Sequence, residues 1–411
     1  MIERALRFCL IATSALAAPA LASTSEMQAP APANTTPAPP GMHYVPAIPH
    51  VPNDPATSDA RLAQFRPTAD PIRHTIDYEI WDYALKQIVL AMGPSERKGL
   101  PWPPPIQGTR LKQGLQSRYR MEGSMVLFRF LDQKVIDSFT EYRKDLESVT
   151  EQLDISALPR NEQLAFWLNL HNVALLEQIA REWPVREPRE IIVGGEPLDE
   201  ARFITVRGVP VSLRDIRENI VFRHWKDPKV IYGFWRGEIG GPSLQRDAFT
   251  GANVSSLLDV AAADYVNSLR GTQKLAGTLH VASLYGEVAP FYFPDFERDV
   301  RAHLAKYAEE PVAAVLAKTN VTRATIRETD IADLHGGARP VNYIFGGSLP
   351  GAMDDPLGEE CAQLIGQAAC HVLKERNTKL RRMQRNDQPT ARVYFSNIDL
   401  PGDPPNKNAV E

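Results

Sequence analysis

A chain of 411 residues has room for two average domains or one large one. With 43% hydrophobic and 23% charged residues it follows ordinary globular usage, which excludes wholesale disorder and a polytopic membrane protein. A formal net charge of −4 argues against a protein built to hold a nucleic-acid backbone.

The first residues read as a secretory leader. Arg4 and Arg7 form a short positive start, Phe8 to Ala18 is an apolar stretch, and Ala20-Leu21-Ala22 supplies a small-x-small cleavage pattern after Ala22. The apolar stretch falls short of the ~20 residues that span a bilayer, and no later segment is apolar enough to do so. Residues 1–22 are therefore expected to be a signal peptide and the mature chain to carry no transmembrane segment. In a Gram-negative source the address would be the periplasm.

Proline is over-represented at 34 copies, and 11 of them fall between Ser23 and Pro71. This stretch, rich also in Ala, Thr and Ser, is expected to be an extended tether over 23–71, parts of which could still pack on the surface. The body should occupy 72–400, followed by a polar tail over 401–411.

Within the body, Asp77 can cap a helix running to Met92, with Ile76, Ile80, Trp81, Ala84 and Ile88 on one side. Met125 to Phe130 reads as a strand. Gln133 to Leu153 reads as a long helix with Val135, Phe139, Tyr142 and Leu146 inward. Arg160 to Trp183 is the most apolar helix and stops at Pro184. Short strands are expected over Ile191–Val193 and Phe203–Val209. Ser212-Leu213-Arg214-Asp215 has capping-box spacing, the hydroxyl serving one end and the carboxylate reaching back. Lys229 to Trp235 reads as a strand and Gly237 to Pro242 as a glycine-rich loop. Then come a helix over Asn253–Leu269, a strand over Leu279–Tyr285, helices over Asp295–Ala308 and Leu357–Arg385, and a closing strand over Arg392–Ile398. Helices outnumber strands and do not alternate with them. The fold class is therefore α+β: one large, predominantly helical domain around a small, mainly antiparallel sheet.

Three stretches could carry chemistry. In Phe166 to Leu176 the helix is apolar all round, so it belongs in the core and its polar members need partners. Asn169 and Asn172, three apart, share a face. Either they tie down a nearby loop backbone, the commoner fate of buried amides, or they line a cleft and hold a substrate carbonyl. His171 points elsewhere and reads as a packed histidine. Second, Gly237-Glu238-Ile239-Gly240-Gly241-Pro242-Ser243 lacks the Lys-Ser/Thr of a phosphate loop and does not match the dinucleotide fingerprint. Gly240 and Gly241 suit a tight turn or a cluster of backbone donors, and Ser243 is a nucleophile only with a base in reach. Third, His280 on the 279–285 strand is a candidate base, although such a histidine is more often simply hydrogen-bonded.

The nine histidines show no paired ligand spacing, so neither a metal nor a cofactor is expected. The basic residues from Lys374 to Arg385 suit a helix C-terminus and a solvated face. On one straight helix Cys361 and Cys370 would stand about 13 Å apart along the axis. A disulfide needs α-carbons within roughly 7 Å. The pair can bond only if the helix breaks between them, for which Gly366 is the natural point; otherwise both are buried small apolar residues, the reading preferred from sequence.

Four stretches carry a resemblance to domain-of-unknown-function family 547. Phe166-Trp167-Leu168-Asn169-Leu170-His171-Asn172 is similar to the family's Phe-Trp-x-Asn-x-Tyr-Asn, with His171 where tyrosine is usual. Ser212-Leu213-Arg214-Asp215-Ile216 resembles its Ser-Leu-x-x-Ile helix start, Asp227-Pro228 through Leu244 its Asp-Pro-Arg-x-His … Ser-Cys-Pro-x-Leu element, and Asp295-Phe296 its Asp-Phe. The resemblance spans 161–296. Many relatives have Cys and His where this chain has Gly241 and Ile231. The resemblance therefore implies a divergent member that kept the loop without its sulfur and imidazole.

Two functions remain open from sequence. The first is an exported, non-catalytic binding protein whose Asn169/Asn172 helix and Gly240-Gly241 loop line a groove for an envelope peptide, glycan or protein. The alternative is a hydrolase or acyl transferase using Ser243 or a water activated by His280. A third possibility, a purely structural envelope protein, would have no hollow near Asn172.

Overall fold

The computed structural model describes residues 59–68, 73–98, 115–338, 361, 365–394 and 409–411. Residues 1–58, and with them the leader and most of the expected tether, lie outside the described residues, as do 395–408. The tether expectation is corrected at its C-terminal side. Asp59 caps a 3-10 helix over Ala60–Phe65, and Leu62 and Phe65 are buried. Phe65 meets Trp167 edge to face at 5.2 Å between ring centres. Leu-x-x-Phe gives this proline-flanked segment two apolar anchors at one-turn spacing, enough to dock it. The far end of the chain also packs. The Val410 side chain is buried, its N–H donates to Asn161 Oδ1 at 2.9 Å, and Glu411 O accepts from Asp227 N.

Helix α1 spans Glu79–Ile88, and Asp77 Oδ1 accepts from Glu79 N at 2.8 Å. Trp81, Ala84, Leu85 and Ile88 face the core, whereas Ile80, expected inward, is 52% exposed. The chain then enters β1 (Val89–Ala91), which pairs antiparallel with β2 (Ser124–Val126). The expected strand over 125–130 is only this short, because Phe128–Phe130 turns into a 3-10 helix. Helix α2 (Gln133–Gln152) begins at Asp132, whose carboxylate accepts from Val135 N, and lies along α3 (Arg160–Glu182). Helix α3 is the axis of the core: Leu164 to Leu176 are all buried, as an all-round apolar helix requires. At its start, Gln163 Nε2 donates to Ser156 O and Leu158 O, holding the preceding turn.

Two antiparallel hairpins follow, β3 (Ile192–Val193) with β4 (Glu196–Pro197), and β5 (Ile204–Val206) with β6 (Val209–Val211). Their two-residue loops, Gly194-Gly195 and Arg207-Gly208, both have positive φ throughout. This mirror-image turn matches strand twist, and it splits the expected 203–209 strand in two. The capping box forms: Asp215 N donates to Ser212 Oγ at 3.0 Å and Ser212 N to Asp215 Oδ2 at 3.2 Å. The helix it starts is a π-helix over Asp215–Val221.

The expected strand over 229–235 is instead a 3-10 helix, Pro228–Gly233. Asp227 accepts from Lys229 N and Pro228 occupies the first turn, a helix start that prevails where a short buried apolar run fits either state. The remaining elements are α4 (Val254–Val266), β7 (Thr272–Leu275), β8 (Thr278–Ala282), α5 (Ser283–Glu287), α6 (Ala289–Tyr292), α7 (Phe296–Tyr307), α8 (Glu310–Ala317), β9 (Thr322–Ile326) and α9 (Gln367–Arg385). The strand expected over 279–285 thus ends at Ala282. β8 pairs antiparallel with β7 and parallel with β9, and the parallel return needs the helical crossover that α5 to α8 provide. The fold is α+β and predominantly helical. Instead of one sheet, the described residues form three two-stranded pairs and one three-stranded sheet.

The late helix breaks. Gly366 has φ +86°, and α9 begins after it. This brings the α-carbons of Cys361 and Cys370 to 5.8 Å, and the two sulfurs are bonded, correcting the preference for free buried thiols. Of the closing strand expected over 392–398, Arg392–Tyr394 is irregular and the rest lies outside the described residues.

Helix α9 is fastened by Lys379, whose ammonium donates to Met92 O, Gly93 O and Met121 O at 3.1, 3.2 and 2.8 Å. Burial lowers its pKa to about 8, against the attraction of Glu122, Asp264 and Glu96. Between about pH 8 and 10.5 the unfolded chain therefore holds more protons than the folded one, and this group's contribution to stability rises with pH. The gain is complete above the unfolded pKa and lost as pH falls through about 8. Denaturant melts of wild type and Lys379→Met at both pH values should show wild type gaining on the variant by roughly 2 kcal/mol from pH 8 to 10. A pH-independent difference would refute this account.

Candidate functional site

The two carboxamides of α3 belong to the fold, each bonded to the backbone of a neighbouring segment. Asn169 is 1% exposed; its Nδ2 donates to Phe249 O at 2.7 Å and its Oδ1 accepts from Phe249 N at 3.1 Å. Asn172 is 3% exposed and donates to Gly233 O at 2.9 Å. Its Oδ1 accepts from Trp235 N, also at 3.1 Å. Each amide therefore satisfies one N–H and one C=O of an irregular segment that has no ladder of its own, as buried backbone requires. The site residues Asn169 and Asn172 are corrected from groove lining to loop ties.

His171 is fully buried, and it opens a polar chain that sequence reasoning missed. Arg217 NH1 donates to His171 Nε2 at 2.9 Å, so the other ring nitrogen, Nδ1, carries the proton and donates to Asn172 Oδ1 at 3.1 Å. Burial and the charge of Arg217 hold the imidazole well below its ordinary pKa, hence neutral. Arg217, from the π-helical segment, reaches on to Asp199 Oδ2 at 2.6 Å, where the carboxylate comes to the surface. Burial works against the charge of Asp199, but Arg217 and Arg236 outweigh it and keep its carboxyl well below the usual range.

Arg236 also acts on Asp199 through its charge. Its ion pair is with Glu287, NH2 to Oε2 at 3.6 Å, and its Nε is buried without a hydrogen-bond partner. Two residues on, Glu238 pairs with Arg189. Burial pushes the Glu238 carboxyl up to about 7 in spite of that partner.

The glycine-rich loop is clamped from both sides. Glu238 bridges Ile331, Ile239 N donates to Asp330 O, and Gly240 N donates to Glu328 O. A Cβ on Gly240 would lie 2.4 Å from Glu328 O, so this close backbone approach needs glycine. Gly241 N donates to Glu238 O, which closes the turn. Tyr265 OH donates to Gly240 O at 2.7 Å and Arg270 NH1 to Gly241 O at 2.7 Å. The amides of Ile239, Gly240 and Gly241 are thus spent on the protein itself, and the expected open cluster of backbone donors is corrected to a closed turn.

Ser243 and His280 belong to separate networks. Ser243 Oγ donates to Asp264 Oδ2 at 3.3 Å and accepts from Arg270 NH2 at 2.8 Å. His280, on β8, pairs through Nδ1 with Thr325 Oγ1 on β9 at 2.6 Å. Ile231, where the resemblance implies a histidine, is buried in the core at 1% exposure. Ser243 and His280 therefore do not pair with each other as nucleophile and base.

A concavity of about 560 Å³ is lined by Thr378, Arg381, Gln384 and Arg385 of α9, away from the α3 amides. Among the described residues no group of three or more His, Cys, Asp or Glu side chains could hold a metal ion. Nor is any helix among them long and apolar enough to cross a membrane.

Comparison with known proteins gives one match. Residues 155–266 match the model of a family described as protein of unknown function, DUF547. This segment contains α3, the capping box, the 3-10 helix and the glycine loop; the resemblance read from residues ran on to Phe296, beyond the matched span. No curated protein and no solved structure matches the chain.

Proposed function

We propose, on the premise that residues 155–266 belong to the DUF547 family of unknown function, that this chain is an exported, non-catalytic binding protein of the cell envelope. The observation that carries the reading is the separation of the two reactive candidates, Ser243 with Asp264 and Arg270, and His280 with Thr325. The serine hydroxyl already donates a hydrogen bond to the Asp264 carboxylate, whose same oxygen also accepts from Arg270 at 3.0 Å. With Gly241 and Ile231 where the resemblance implies sulfur and imidazole, the loop keeps its shape without a reacting atom.

Two features support export. One is the three-part leader pattern in residues 1–22. The other is the Cys361–Cys370 bond, of a kind that persists in oxidising compartments. The envelope partner is a peptide, glycan or protein, received at the polar surface around Asp199 and Arg236 and not along α3.

The test is to incubate the purified mature chain with cell-wall peptide and glycan fragments and to follow both binding and product release. Binding without conversion is expected. Turnover of any fragment that Ser243→Ala or His280→Ala abolishes would defeat the proposal.

A further inference from the structure

Arg236 is a guanidinium with its own counter-charges nearby and no acceptor in hydrogen-bond reach. Its side chain is 20% exposed, so most of its hydration is gone. Among the described residues it makes no hydrogen bond, and its ion pair with Glu287 is long at 3.6 Å. The neighbouring arginines behave differently: Arg217 donates to His171 and Asp199, and Arg270 to four acceptors. A largely buried donor set left unused is costly, and a guanidinium's planar fork fits a carboxylate with two parallel hydrogen bonds.

The surroundings narrow the ligand. Glu287, 32% exposed, pairs with Arg236, and Asp199, 40% exposed and paired with Arg217, adds its negative charge to the same surroundings. A phosphate carrying nearly two negative charges would be repelled by both. A small zwitterion with one carboxylate and one ammonium would satisfy Arg236 and Glu287 together. Arg217, whose charge acts on Arg236, sits on a π-helical segment, a geometry frequent at functional sites. Arg217 is locked between His171 and Asp199, and His171 in turn by Asn172. Gly241 lies against the Arg236 stem, where an added Cβ would be 3.2 Å from Arg236 Cβ.

We propose that Arg236 anchors the terminal carboxylate of a dipeptide, with Glu287 receiving the ammonium at its other end. This rests on the reading of the chain as a binding protein and names the ligand class of that surface.

Titration calorimetry of the full mature chain with glycylglycine, acetate, N-acetylglycine and inorganic phosphate tests it. Glycylglycine is expected to bind most tightly, and N-acetylglycine and acetate more weakly because they offer Glu287 no ammonium. Arg236→Gln should weaken glycylglycine by at least ~10-fold, with Arg236→Lys between the two and melting temperatures close to wild type. Glu287→Gln should reduce the preference for glycylglycine over N-acetylglycine. No binding of glycylglycine to wild type, equal binding by Arg236→Gln, or tighter binding of phosphate would each overturn the site. Cleavage of bound glycylglycine would instead defeat the non-catalytic reading and leave the carboxylate anchor standing, so the two failures are distinguishable.

Discussion

Replacing Arg270 with methionine is expected to destabilise the protein by about 3–5 kcal/mol, the cost of removing one partner from a buried charged network. Arg270 is 2% exposed and is the centre on which the glycine loop closes. NH1 donates to Ile239 O and Gly241 O, and NH2 to Ser243 Oγ and Asp264 Oδ2, at 3.3, 2.7, 2.8 and 3.0 Å. The guanidinium lies 5.2 Å from the Tyr265 ring centre and so close over Gly123 that a Cβ there would come within 2.4 Å of NH1. Methionine fills much of the volume and supplies none of the donors, so two loop carbonyls and one carboxylate lose their partner together. Arg270→Lys should recover part of the loss, because an ammonium keeps the charge and reaches fewer acceptors. Urea or guanidinium denaturation gives both values. If Arg270→Met melts within about 1 kcal/mol of wild type, the loop is not held by this clamp.

Asn172→Leu is expected to cost a similar ~3–5 kcal/mol, as three groups at about 1–3 kcal/mol each are left unpaired. Gly233 O loses its donor, Trp235 N its acceptor, and the His171 Nδ1–H its acceptor. Leucine is close in size and apolar, so the loss measures unmet hydrogen bonds and not a cavity. Because His171 in turn accepts from Arg217, the variant should also loosen the chain leading to Asp199. Denaturant unfolding, with hydrogen exchange at the amides of 233–235, reads both effects. Protection at those amides equal to wild type would contradict the role assigned to Asn172.

The amides show how far local pattern reaches. Their burial and shared face could be read from an all-round apolar helix, and so could the need for partners. What receives them could not, because Phe249, Gly233 and Trp235 lie 61 to 80 residues away in sequence. The Ser212/Asp215 capping box was legible because its chemistry is contained within four residues; the π-helix that follows was not, since packing selects it. The short apolar run of Lys229 to Trp235 is ambiguous between strand and helix, and the cap at Asp227-Pro228 decides for the helix. The positions of Arg217, Arg236 and Arg270 were all visible, Arg236 directly beside the glycine loop. An arginine flanked by core residues, as in Ile216-Arg217 or Trp235-Arg236, is a signal that could have singled them out.

By itself the sequence determined the α+β class, the principal helices, the central helix and the resemblance of the 155–266 segment to DUF547. These rest on periodicity, caps and motif spacing, which are properties of neighbours along the chain. Tertiary structure alone decided that the asparagines serve the fold, that Ser243 and His280 hold different partners, that a break at Gly366 joins the two cysteines, and that Arg236 keeps unspent donors at the surface. Each of these depends on which distant groups meet. Hydrogen-bond satisfaction in a buried interior is settled by that meeting, not by any residue's immediate surroundings in sequence.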